Sequence, residues 1–431
     1  AQWGDEGKGK VIDAMAGGAH AVIRGTGGSN AGHTIKIGQD QEFKMQLVPS
    51  GILHPSVWCF IGNGCVVDPA ALLEELARLN GAGIDISKFR LSPLAHLVMP
   101  WHMLIDRLAD HLGRLEPLGT TGRGIGPCYA DKATRRGLRV CDLLADDLGE
   151  RIARLRTFKA AELDALVPDA SVAIPSSAAL TQTLRNQGEA LRPYVADTDV
   201  LAREALARGQ HVLLEGAQAA MLDIDFGTYP YVTASSSTAA GCVVGSGLSP
   251  RDVSAIIGVA KAYTTRVGAG PFPSEMPPDI ADPLRERGRE YGTNSKRPRR
   301  CGWFDAPQVK YACRVSGITS LVLTKLDILS GLEKLQVVTA YEYDNDGYAE
   351  PPARLYGSTK LMPVMVPAPG WTEDITGIRE WWQLPESARR YVELLEILVG
   401  TRIAAIGTGP HRDDMITRPP LTVPHYPVNG P

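Results

Sequence analysis

Short apolar runs that lead into glycine-rich segments restrict the fold of this sequence more than any other feature. Runs of strand length occur at 21–24, 211–214, 253–259, 320–323 and 402–406. Patterns typical of helices occur at 70–79 and 387–398. Strands that alternate with helices form mostly parallel sheets covered on both faces. We therefore expect an α/β fold with a large, mostly parallel central sheet flanked by helices. Ligands bind such sheets at the strand ends.

Composition excludes several classes of protein. The net charge is −3 and hydrophobic residues make up 44% of the chain. These values are ordinary for a globular enzyme and do not favour nucleic acid as the main partner. No apolar run approaches the ~20 residues of a membrane helix, and no signal peptide is apparent. The seven cysteines include no CxxC pair, which favours reduced thiols and a cytoplasmic location.

Residues 4–10, GDEGKGK, have the GxxxxGK spacing of a phosphate-binding loop. Glycines let backbone N–H groups approach phosphate oxygens, and lysine adds positive charge. Val11 stands where the common loop has the Ser or Thr that binds Mg²⁺. The loop also carries two carboxylates, Asp5 and Glu6, which repel phosphate unless one of them holds a metal or removes a proton.

The amino-terminal boundary is unusual for such a loop. Phosphate-binding loops normally follow a buried strand, whereas Ala1, Gln2 and Trp3 lead directly into this one. We therefore expect that a short first strand is missing from this chain. We also expect one catalytic domain over 1–417 and a loosely ordered, proline-rich tail over 418–431.

Two further glycine-rich segments suit ligand binding. In residues 27–34, GGSNAGHT, Asn30 can hydrogen-bond a polar ligand edge, and His33 can donate a proton near neutral pH. Residues 119–127, GTTGRGIGP, combine glycines with hydroxyls and an arginine, and so suit a second anion site. A structural histidine and a solvated basic face are the simpler interpretations of each segment taken alone.

Two later segments indicate a nucleotide and a dicarboxylate. Residues 324–327, TKLD, follow an apolar strand and have the form of the guanine-binding element of GTP-binding proteins. A buried carboxylate there accepts from guanine N1–H and N2–H₂, and adenine would leave it unpaired. Residues 292–303 hold four cations behind a small, hydroxyl-rich stretch. We expect a mobile loop that closes on a dicarboxylate, because arginine binds carboxylates in a bidentate manner.

Together these segments resemble the adenylosuccinate synthetase family, whose members join IMP and aspartate with GTP. The resemblance runs from Gln2 to about Ile416, and its motifs keep the family's order. The matching stretches are QWGDEGKGK, NAGHT, PSGIL, IGNG, GTTGRGIGP, RRGLRV, EGAQ, LDID, GTYPYVT, TRVGAGPFP, RRCGWFD, TKLD and GTGPHR. The resemblance implies a P-loop-GTPase-like sheet with loop and helical insertions.

The resemblance also implies catalytic roles. Asp5 is expected to be the general base that takes the N1 proton of IMP, and to bind Mg²⁺ together with the carbonyl of Gly32. His33 is expected to be the general acid at the leaving β-phosphate of GTP. Lys8 is expected to neutralise phosphate charge.

The substrate contacts that the resemblance implies form three sets. The IMP contacts are Asn30, Thr121, Arg135, Gln218, Thr233 and Arg297, with Arg135 reaching the neighbouring active site of a homodimer. The aspartate contacts are Thr293, Asn294, Ser295, Arg297 and Arg299. The GTP contacts are Gly4, Glu6, Gly7, Lys8, Gly9, Lys10, Gly32, His33, Thr34, Arg299, Lys325, Leu326, Asp327, Gly407, Thr408 and Gly409.

The sequence departs from the family at three places. Residues 294–296, NSK, stand where the family usually has TTG in the aspartate loop, and Lys296 is bulkier than glycine. Ser29 stands where the family often has histidine or another polar residue. Gly407 replaces a common serine near the guanine, which removes one side-chain contact.

The implied chemistry is a ligation through a 6-phosphoryl-IMP intermediate, giving adenylosuccinate, GDP and phosphate. An oxo group is a poor leaving group, so phosphorylation of O6 must precede attack by the amine of aspartate. An alternative is a related synthetase that uses GMP or dGMP and makes a precursor of 2-aminoadenine. A regulatory GTPase and an inactive homologue are further alternatives. Val11 argues against the GTPase, and the altered aspartate loop suggests the inactive homologue.

Overall fold

The structure is a computed structural model that describes residues 1–30, 32–37, 41–108, 110, 112, 117–168, 173–292 and 297–418. The predicted contacts Thr293, Asn294 and Ser295 lie outside the described residues, as do Lys296 and the tail from 419 onward. None of the helices in the described part of the chain has the length and apolar character that crossing a bilayer requires.

The strands and helices alternate along much of the chain. The strands are β1 (Ala21–Arg24), β2 (His33–Ile37), β3 (Gln41–Met45), β4 (Trp58–Ile61), β5 (Val66–Val67), β6 (Phe89–Leu91), β7 (His96–Leu97), β8 (Val212–Glu215), β9 (Ile257–Lys261), β10 (Thr264–Arg266), β11 (Arg300–Gly302), β12 (Phe304–Asp305), β13 (Ser320–Thr324), β14 (Leu332–Tyr343), β15 (Asp346–Tyr348), β16 (Met362–Trp371), β17 (Ile403–Gly407) and β18 (Met415–Thr417). The α-helices are α1 (Lys8–Ala16), α2 (Pro69–Gly81), α3 (Pro100–Leu108), α4 (Ile125–Ala133), α5 (Leu148–Leu166), α6 (Ser177–Leu191), α7 (Thr198–Ala207), α8 (Ala239–Ser246), α9 (Pro278–Gly288), α10 (Ala306–Ser316) and α11 (Glu386–Val399). Short 3₁₀ helices cover Ser50–Leu53, Val140–Leu144, Arg192–Tyr194, Ala220–Leu222, Pro250–Asp252, Asp327–Leu329, Ala353–Leu355 and Trp381–Gln383.

Two four-stranded sheets carry most of the parallel strands, and β12 with β14 and β5 with β7 form further parallel pairs. One has the order β6-β4-β1-β8 and is parallel throughout. The other has the order β18-β17-β13-β9, and only β18 runs antiparallel. Every residue of β1 is buried, as expected for a strand covered by helices on both faces. The predicted α/β class with mostly parallel strands is confirmed.

Each of these sheets has its own apolar core. One core packs α2, α5 and α6 against the sheet that contains β1. The other packs α10 and α11 against the sheet that contains β13. The facing edge strands β8 and β9 both line a small, largely apolar cavity of about 250 Å³. The two halves are therefore separately stabilised by burial of apolar surface, and the loops at their strand ends meet in the space between.

Local sequence explains where the helices begin and end. The Asp68 side chain caps α2 by accepting from the N–H groups of Ala70 and Ala71, and Pro69 occupies its first turn. The Asp305 side chain caps α10 in the same way, and Gly317 ends that helix in the left-handed region. Such residues satisfy backbone groups that a helix end leaves unpaired.

Most predicted elements agree with the structure. The runs at 21–24, 211–214, 320–323 and 402–406 form β1, β8, β13 and β17 to within a residue, and the patterns at 70–79 and 387–398 form α2 and α11. The prediction of a strand over 253–259 was wrong at its start, because β9 begins at Ile257. Residues 253–256 follow the 3₁₀ turn Pro250–Asp252 and lie outside the sheet, and none of them is fully buried.

Candidate active site

The main cavity lies at the carboxyl ends of the parallel strands β1, β8 and β13. Its volume is about 1690 Å³, larger than the roughly 300–1,000 Å³ of most single-ligand sites. The predicted site residues that line it are Gly4, Asp5, Gly7, Lys8, Gly9, Lys10, Asn30, Gly32, His33, Thr34, Thr121, Gln218, Thr233, Arg297, Arg299, Lys325, Asp327 and Gly409. The predicted residues Glu6, Arg135, Leu326, Gly407 and Thr408 are described but do not line it.

The phosphate-binding loop has a shape that its own residues hold. Gly4, Asp5 and Gly7 have φ angles of 93°, 60° and 85°, a left-handed conformation that glycine adopts without strain. The buried Glu6 carboxylate accepts from the backbone N–H groups of Gln2 and Gly4 at 3.0 and 2.8 Å. Glu6 therefore lies beneath the loop and fixes its turn, rather than facing the cavity.

Glu6 also pairs with Lys8. The Lys8 Nζ lies 2.6 Å from Oε2 of Glu6, whose side chain is fully buried. Burial opposes charge on Glu6, yet the Lys8 ammonium and the amino terminus hold the pKa of this carboxyl well below its usual range. Glu6 thus stays ionised and keeps the Lys8 charge at the edge of the cavity.

Asp5 lies in the cavity wall and is partly exposed. Its Oδ2 is 2.9 Å from Nε of Arg299. Asp5, the predicted general base, therefore lies next to Arg299, which is predicted to contact both GTP and aspartate. The guanidinium places a positive charge directly beside this carboxyl group.

His33, at the start of β2, is held by two residues that the sequence did not identify. Its Nδ1 lies 2.5 Å from Oε1 of Glu215 and 3.2 Å from Oγ of Ser50. Glu215 is fully buried and also accepts from the N–H of Ser50 at 2.8 Å. With Nδ1 engaged by a carboxylate, Nε2 is the ring nitrogen left for a ligand. Gly9 leaves room for the ring, since a Cβ there would lie 2.9 Å from Cβ of His33.

Lys10 supports a neighbouring loop. Its Nζ donates to the carbonyls of Gly409 and Asp414 at 2.7 and 2.9 Å. Burial, opposed by nearby Asp414 and Asp327, lowers the pKa of Lys10 to about 8. Lys10 therefore connects the phosphate-binding loop to the loop after β17.

The predicted IMP contacts occupy one wall of the cavity. The Asn30 Oδ1 accepts from Nε2 of Gln218 at 3.1 Å and from the N–H of Gly28 at 3.2 Å. Gln218 has a φ angle of 56°, and its buried Oε1 has no partner in the described structure. An unpartnered acceptor in a cavity wall suits a ligand donor. Thr121 and Thr233 line the same cavity.

Arg297 lies close to the second glycine-rich loop. A Cβ at Gly119 would be 3.4 Å from Nη1 of Arg297, so the loop before α4 and the basic segment after residue 296 meet at the cavity. The expectation that both segments serve one site therefore agrees with their positions.

Asp327 has the environment expected of a base-reading carboxylate. Burial raises its pKa to about 6, and its buried Oδ1 has no partner in the described structure. Lys325, with a φ angle of 59°, stands beside it in the cavity wall. A buried acceptor without a donor costs free energy until a ligand donor pairs with it.

Leu326, Gly407 and Thr408 support this end of the cavity from behind. The N–H of Leu326 donates to the carbonyl of Gly407 at 3.2 Å. The Thr408 hydroxyl donates to the carbonyl of Ile378 at 2.7 Å. A Cβ at Gly407 would lie 3.4 Å from both Nζ of Lys10 and Cα of Thr324. A serine there would fit tightly.

Arg135 lies away from the cavity. It is exposed at the end of α4, with a φ angle of 61°. On the same face, Lys132 donates to the carbonyl of Asn63, whose side chain donates to the carbonyl of Val244, and Val244 is 71% exposed. Within one subunit, Arg135 does not join the predicted IMP contacts.

The donor set of the site suits Mg²⁺. The described residues contain no cluster of three or more His, Cys, Asp or Glu side chains able to hold a metal ion. Mg²⁺ is usually bound through one or two carboxylates plus substrate phosphates. The Asp5 carboxylate and the Gly32 carbonyl supply hard oxygen donors in the cavity wall, so the residues present fit that ion.

A sheet with parallel strands, a phosphate-binding loop and a buried carboxylate that lacks a donor define a nucleotide-dependent α/β enzyme. The family model "Adenylosuccinate synthetase" matches residues 1–416. The chain belongs to the adenylosuccinate synthetase family.

Individual relatives agree with this assignment. The adenylosuccinate synthetase of Halothermothrix orenii is 47% identical over 418 residues, 97% of each chain. That of Saccharopolyspora erythraea is 46% identical over 420 residues, again 97% of each chain. The fully ligated adenylosuccinate synthetase of Plasmodium falciparum is 37% identical with a TM-score of 0.88, covering 97% of this chain and 98% of that one.

A more distant structure shares the fold alone. Cyanophage S-2L succinoaminodeoxyadenylate synthetase, bound to dGMP and to dATP as an energy donor, is 21% identical with a TM-score of 0.60. It covers 97% of this chain and 93% of its own. The alternative assignment to the guanylate-using synthetases rests on this fold-level likeness only.

Sequence reasoning missed Glu215, Ser50 and Glu290. Glu215 had a usable signal, because it ends an apolar strand at the edge of the sheet where ligands bind. Ser50 belongs to the quoted motif PSGIL but carries no spacing that identifies a partner. Glu290 gave no local signal, since the cations it contacts lie at 261, 299 and 325.

Proposed function

We propose that residues 1–417 act as one catalytic unit that joins L-aspartate to IMP with GTP, giving adenylosuccinate, GDP and phosphate. The observation that carries the proposal is that Asp5 and His33 line the same cavity, together with the guanine-type carboxylate Asp327. A base, an acid and a base-reading carboxylate in one cavity fit a single phosphoryl transfer between two nucleotides.

Asp5 is the proposed general base. Asp5 Oδ takes the N1 proton of IMP, and the electron pair of the N1–H bond makes O6 nucleophilic. O6 then forms a bond to the γ-phosphorus of GTP while the bond from that phosphorus to the β-phosphate oxygen breaks. Nε of Arg299 lies 2.9 Å from Oδ2 of Asp5 and holds a positive charge beside the proposed base.

His33 and Lys8 act on the leaving group. With Nδ1 held by Glu215, the ring presents Nε2 to the β-phosphate oxygen and offsets its growing negative charge. Lys8 adds a second positive charge from the phosphate-binding loop. Mg²⁺, held by Asp5 and Gly32, would supply further neutralisation of phosphate charge when bound.

The second half of the reaction uses the improved leaving group. The amine of aspartate forms a bond to C6, and the C6–O6 bond breaks to release phosphate. Arg297 and Arg299 are the cations of the described chain that we assign to the carboxylates of aspartate. Asn30, Gln218, Thr121 and Thr233 are assigned to IMP.

We also propose a homodimer in which Arg135 reaches the IMP phosphate of the neighbouring subunit. Support comes from its exposed position just after α4, outside its own cavity. Removal of the Arg135 charge should raise the KM for IMP without changing the binding of GDP. A cytoplasmic location stays a prediction from the composition of the sequence.

The test is a substrate panel with purified protein and Mg²⁺. IMP, GTP and aspartate together should yield adenylosuccinate, detected by chromatography, with one phosphate released for each product. Replacement of IMP by dGMP should reduce turnover strongly. Replacement of GTP by ATP should do the same, because adenine lacks the two N–H donors that Asp327 would accept from. Turnover with dGMP that matches turnover with IMP would contradict the proposal.

A further inference from the structure

Glu290 is a buried carboxylate just behind the cavity. It follows α9 and precedes the basic segment, and its side chain is 0% exposed. Its neighbours Arg289 and Tyr291 line the cavity, whereas Glu290 does not. It therefore cannot touch a substrate, and any effect on substrates must pass through other residues.

The partners of Glu290 come from both ends of the cavity. Its Oε1 accepts from Nζ of Lys325 at 2.6 Å, from the hydroxyl of Tyr263 at 2.5 Å and from Nζ of Lys261 at 3.2 Å. Its Oε2 accepts from Nη1 of Arg299 at 2.7 Å. Lys325 belongs to the guanine end and Arg299 to the end that holds Asp5.

These contacts form a continuous path across the site. Arg299 uses Nη1 for Glu290 and Nε for Asp5, at 2.7 and 2.9 Å. The path therefore runs from Lys325 to Glu290, then to Arg299 and on to Asp5. A planar guanidinium that is hydrogen-bonded to Glu290 and ion-paired with Asp5 has restricted freedom to rotate, so a shift at one end displaces the other.

The buried side of Glu290 is anchored. Lys261 and Tyr263 are fully buried in and after β9. Three cations and a hydroxyl around one carboxylate exceed what it needs for neutrality. Because these two partners are fixed, Glu290 cannot follow either Lys325 or Arg299 when a ligand draws one of them away.

We propose that Glu290 is a positioning residue that couples the guanine end of the cavity to Asp5, through Lys325 on one side and Arg299 on the other. The coupling rests on the proposed function of these two cations as GTP and aspartate contacts. When the guanine base fixes Lys325, Glu290 keeps Arg299 in the place where it meets Asp5 and the incoming carboxylate.

Retention of the negative charge agrees with this role. Although burial opposes charge, Lys261, Lys325 and Arg299 hold the pKa of Glu290 well below its usual range. The carboxylate is therefore ionised at every pH at which an enzyme of this kind would be assayed.

The test compares a charge-balanced double variant with its single parent. Glu290→Gln alone leaves three cations, of which Lys261 and Arg299 are buried, without their carboxylate and endangers folding. Glu290→Gln with Lys261→Met removes one charge of each sign. Lys261→Met alone is the matched control, because it keeps the contacts of Glu290 with Lys325 and Arg299.

The expected result is a change in ligand parameters at both ends of the cavity. Relative to Lys261→Met, the double variant should lose about tenfold in GDP affinity by calorimetry and gain about tenfold in KM for aspartate, with KM for IMP within about twofold. A lower unfolding midpoint with unchanged GDP affinity and KM values would show a merely structural role and overturn the proposal.

If the double variant does not fold, Glu290→Asp is the second test. It retains the charge on a shorter side chain and should lower GDP affinity and raise the KM for aspartate in the same way. Unchanged values in that variant would also overturn the proposal.

Coupling itself is measured by removal of Arg299. Arg299→Ala should weaken GDP binding more in the Lys261→Met protein than in the double variant, because among the described residues Glu290 contacts both Arg299 and Lys325. Equal effects in both backgrounds would contradict the coupling. This binding measurement needs no turnover. A protein that binds GDP but makes no adenylosuccinate would refute the proposed reaction, and the coupling could still be measured in it.

Discussion

The carboxylates at the two ends of the cavity differ in what satisfies them. At the phosphate end, Glu6 and Glu215 are paired with Lys8 and His33, and these partners lower the pKa of both carboxyls against the effect of burial. At the end that we propose binds guanine, Oδ1 of Asp327 has no partner among the described residues, and burial raises the pKa of this carboxyl to about 6. Glu6 and Glu215 are paired by other groups of the protein, whereas Asp327 can be paired by hydrogen-bond donors of a ligand.

This difference separates two tasks. Charges that the protein pairs internally hold catalytic groups in a fixed state and orientation. A charge that only the correct ligand can pair discriminates between ligands, because the wrong base leaves it buried and unsatisfied. Changes at the phosphate end should therefore reduce turnover, and changes at the guanine end should alter nucleotide choice.

The largest effect is expected from Asp5→Ala. Loss of the base should lower kcat by about 10³–10⁴-fold, while binding of IMP stays measurable by calorimetry. Asp164→Ala, at an exposed position of α5, is the matched control and should have normal activity. Near-normal turnover by Asp5→Ala would remove the proposed base.

Asp327→Asn should change specificity at the guanine end. The amide no longer accepts from both N1–H and N2–H₂, so kcat/KM for GTP should fall about 10²–10³-fold. Xanthosine triphosphate, whose altered ring pairs with an amide, should become the better donor. Asp305→Asn changes another buried carboxyl whose pKa is raised to about 6, but outside the cavity, and should keep the preference for GTP. An unaltered preference in Asp327→Asn would refute the assignment.

Glu215→Gln should affect turnover and not nucleotide choice. Without the carboxylate, the imidazole loses the partner of Nδ1 that fixes its orientation, so kcat should fall about 10–10²-fold with KM for GTP nearly constant. Glu75→Gln neutralises another buried carboxylate, which accepts from the N–H groups of Gln46 and Leu47, and should lower stability while kcat is retained. Equal kcat losses in both variants would mean that Glu215 has only a structural role.

The smallest effect concerns pH. Protonation of Asp327 should weaken GDP binding, and the contributions of Asp327 and Glu6 to stability should depend on pH with opposite signs. GDP affinity should be constant above pH 7 and fall about tenfold per unit below pH 6, as Asp327 becomes protonated. The folded pKa of Asp327 exceeds its ordinary value of 3.8, so its penalty to stability is fully present at neutral pH, decreases as the pH falls below about 6 and is gone below 3.8. Glu6 is shifted downward, so its contribution is present at neutral pH and is lost in strong acid. Titrations of GDP into wild type and Asp327→Asn between pH 5 and 8 check this. A pH-independent affinity in wild type would contradict it.

The fold was largely predictable because its signals are local. Each buried parallel strand is a continuous apolar run, as β13 and β17 show, and α2 carries its own capping residues. The error at 253–256 arose because an apolar run does not specify where pairing begins. The division of the parallel strands between two sheets depends on pairing partners that no single segment encodes.

The site was predictable only as far as its motifs extend. Asp5, His33 and Asp327 belong to short segments with recognisable chemistry, and the structure brings them to one cavity. The partners that control them are distant in sequence: Glu215 lies 182 residues after His33, and Glu290 contacts Lys325 35 residues later. Such pairings depend on the folded arrangement, and no local sequence pattern predicts them.

The Glu6 carboxylate beneath the phosphate-binding loop has a kinetic consequence. Because internal hydrogen bonds already fix the loop, an arriving nucleotide spends little of its binding energy on ordering backbone. Binding then requires no slow rearrangement of this loop after the first collision. The association rate of the nucleotide should therefore depend on diffusion and salt concentration.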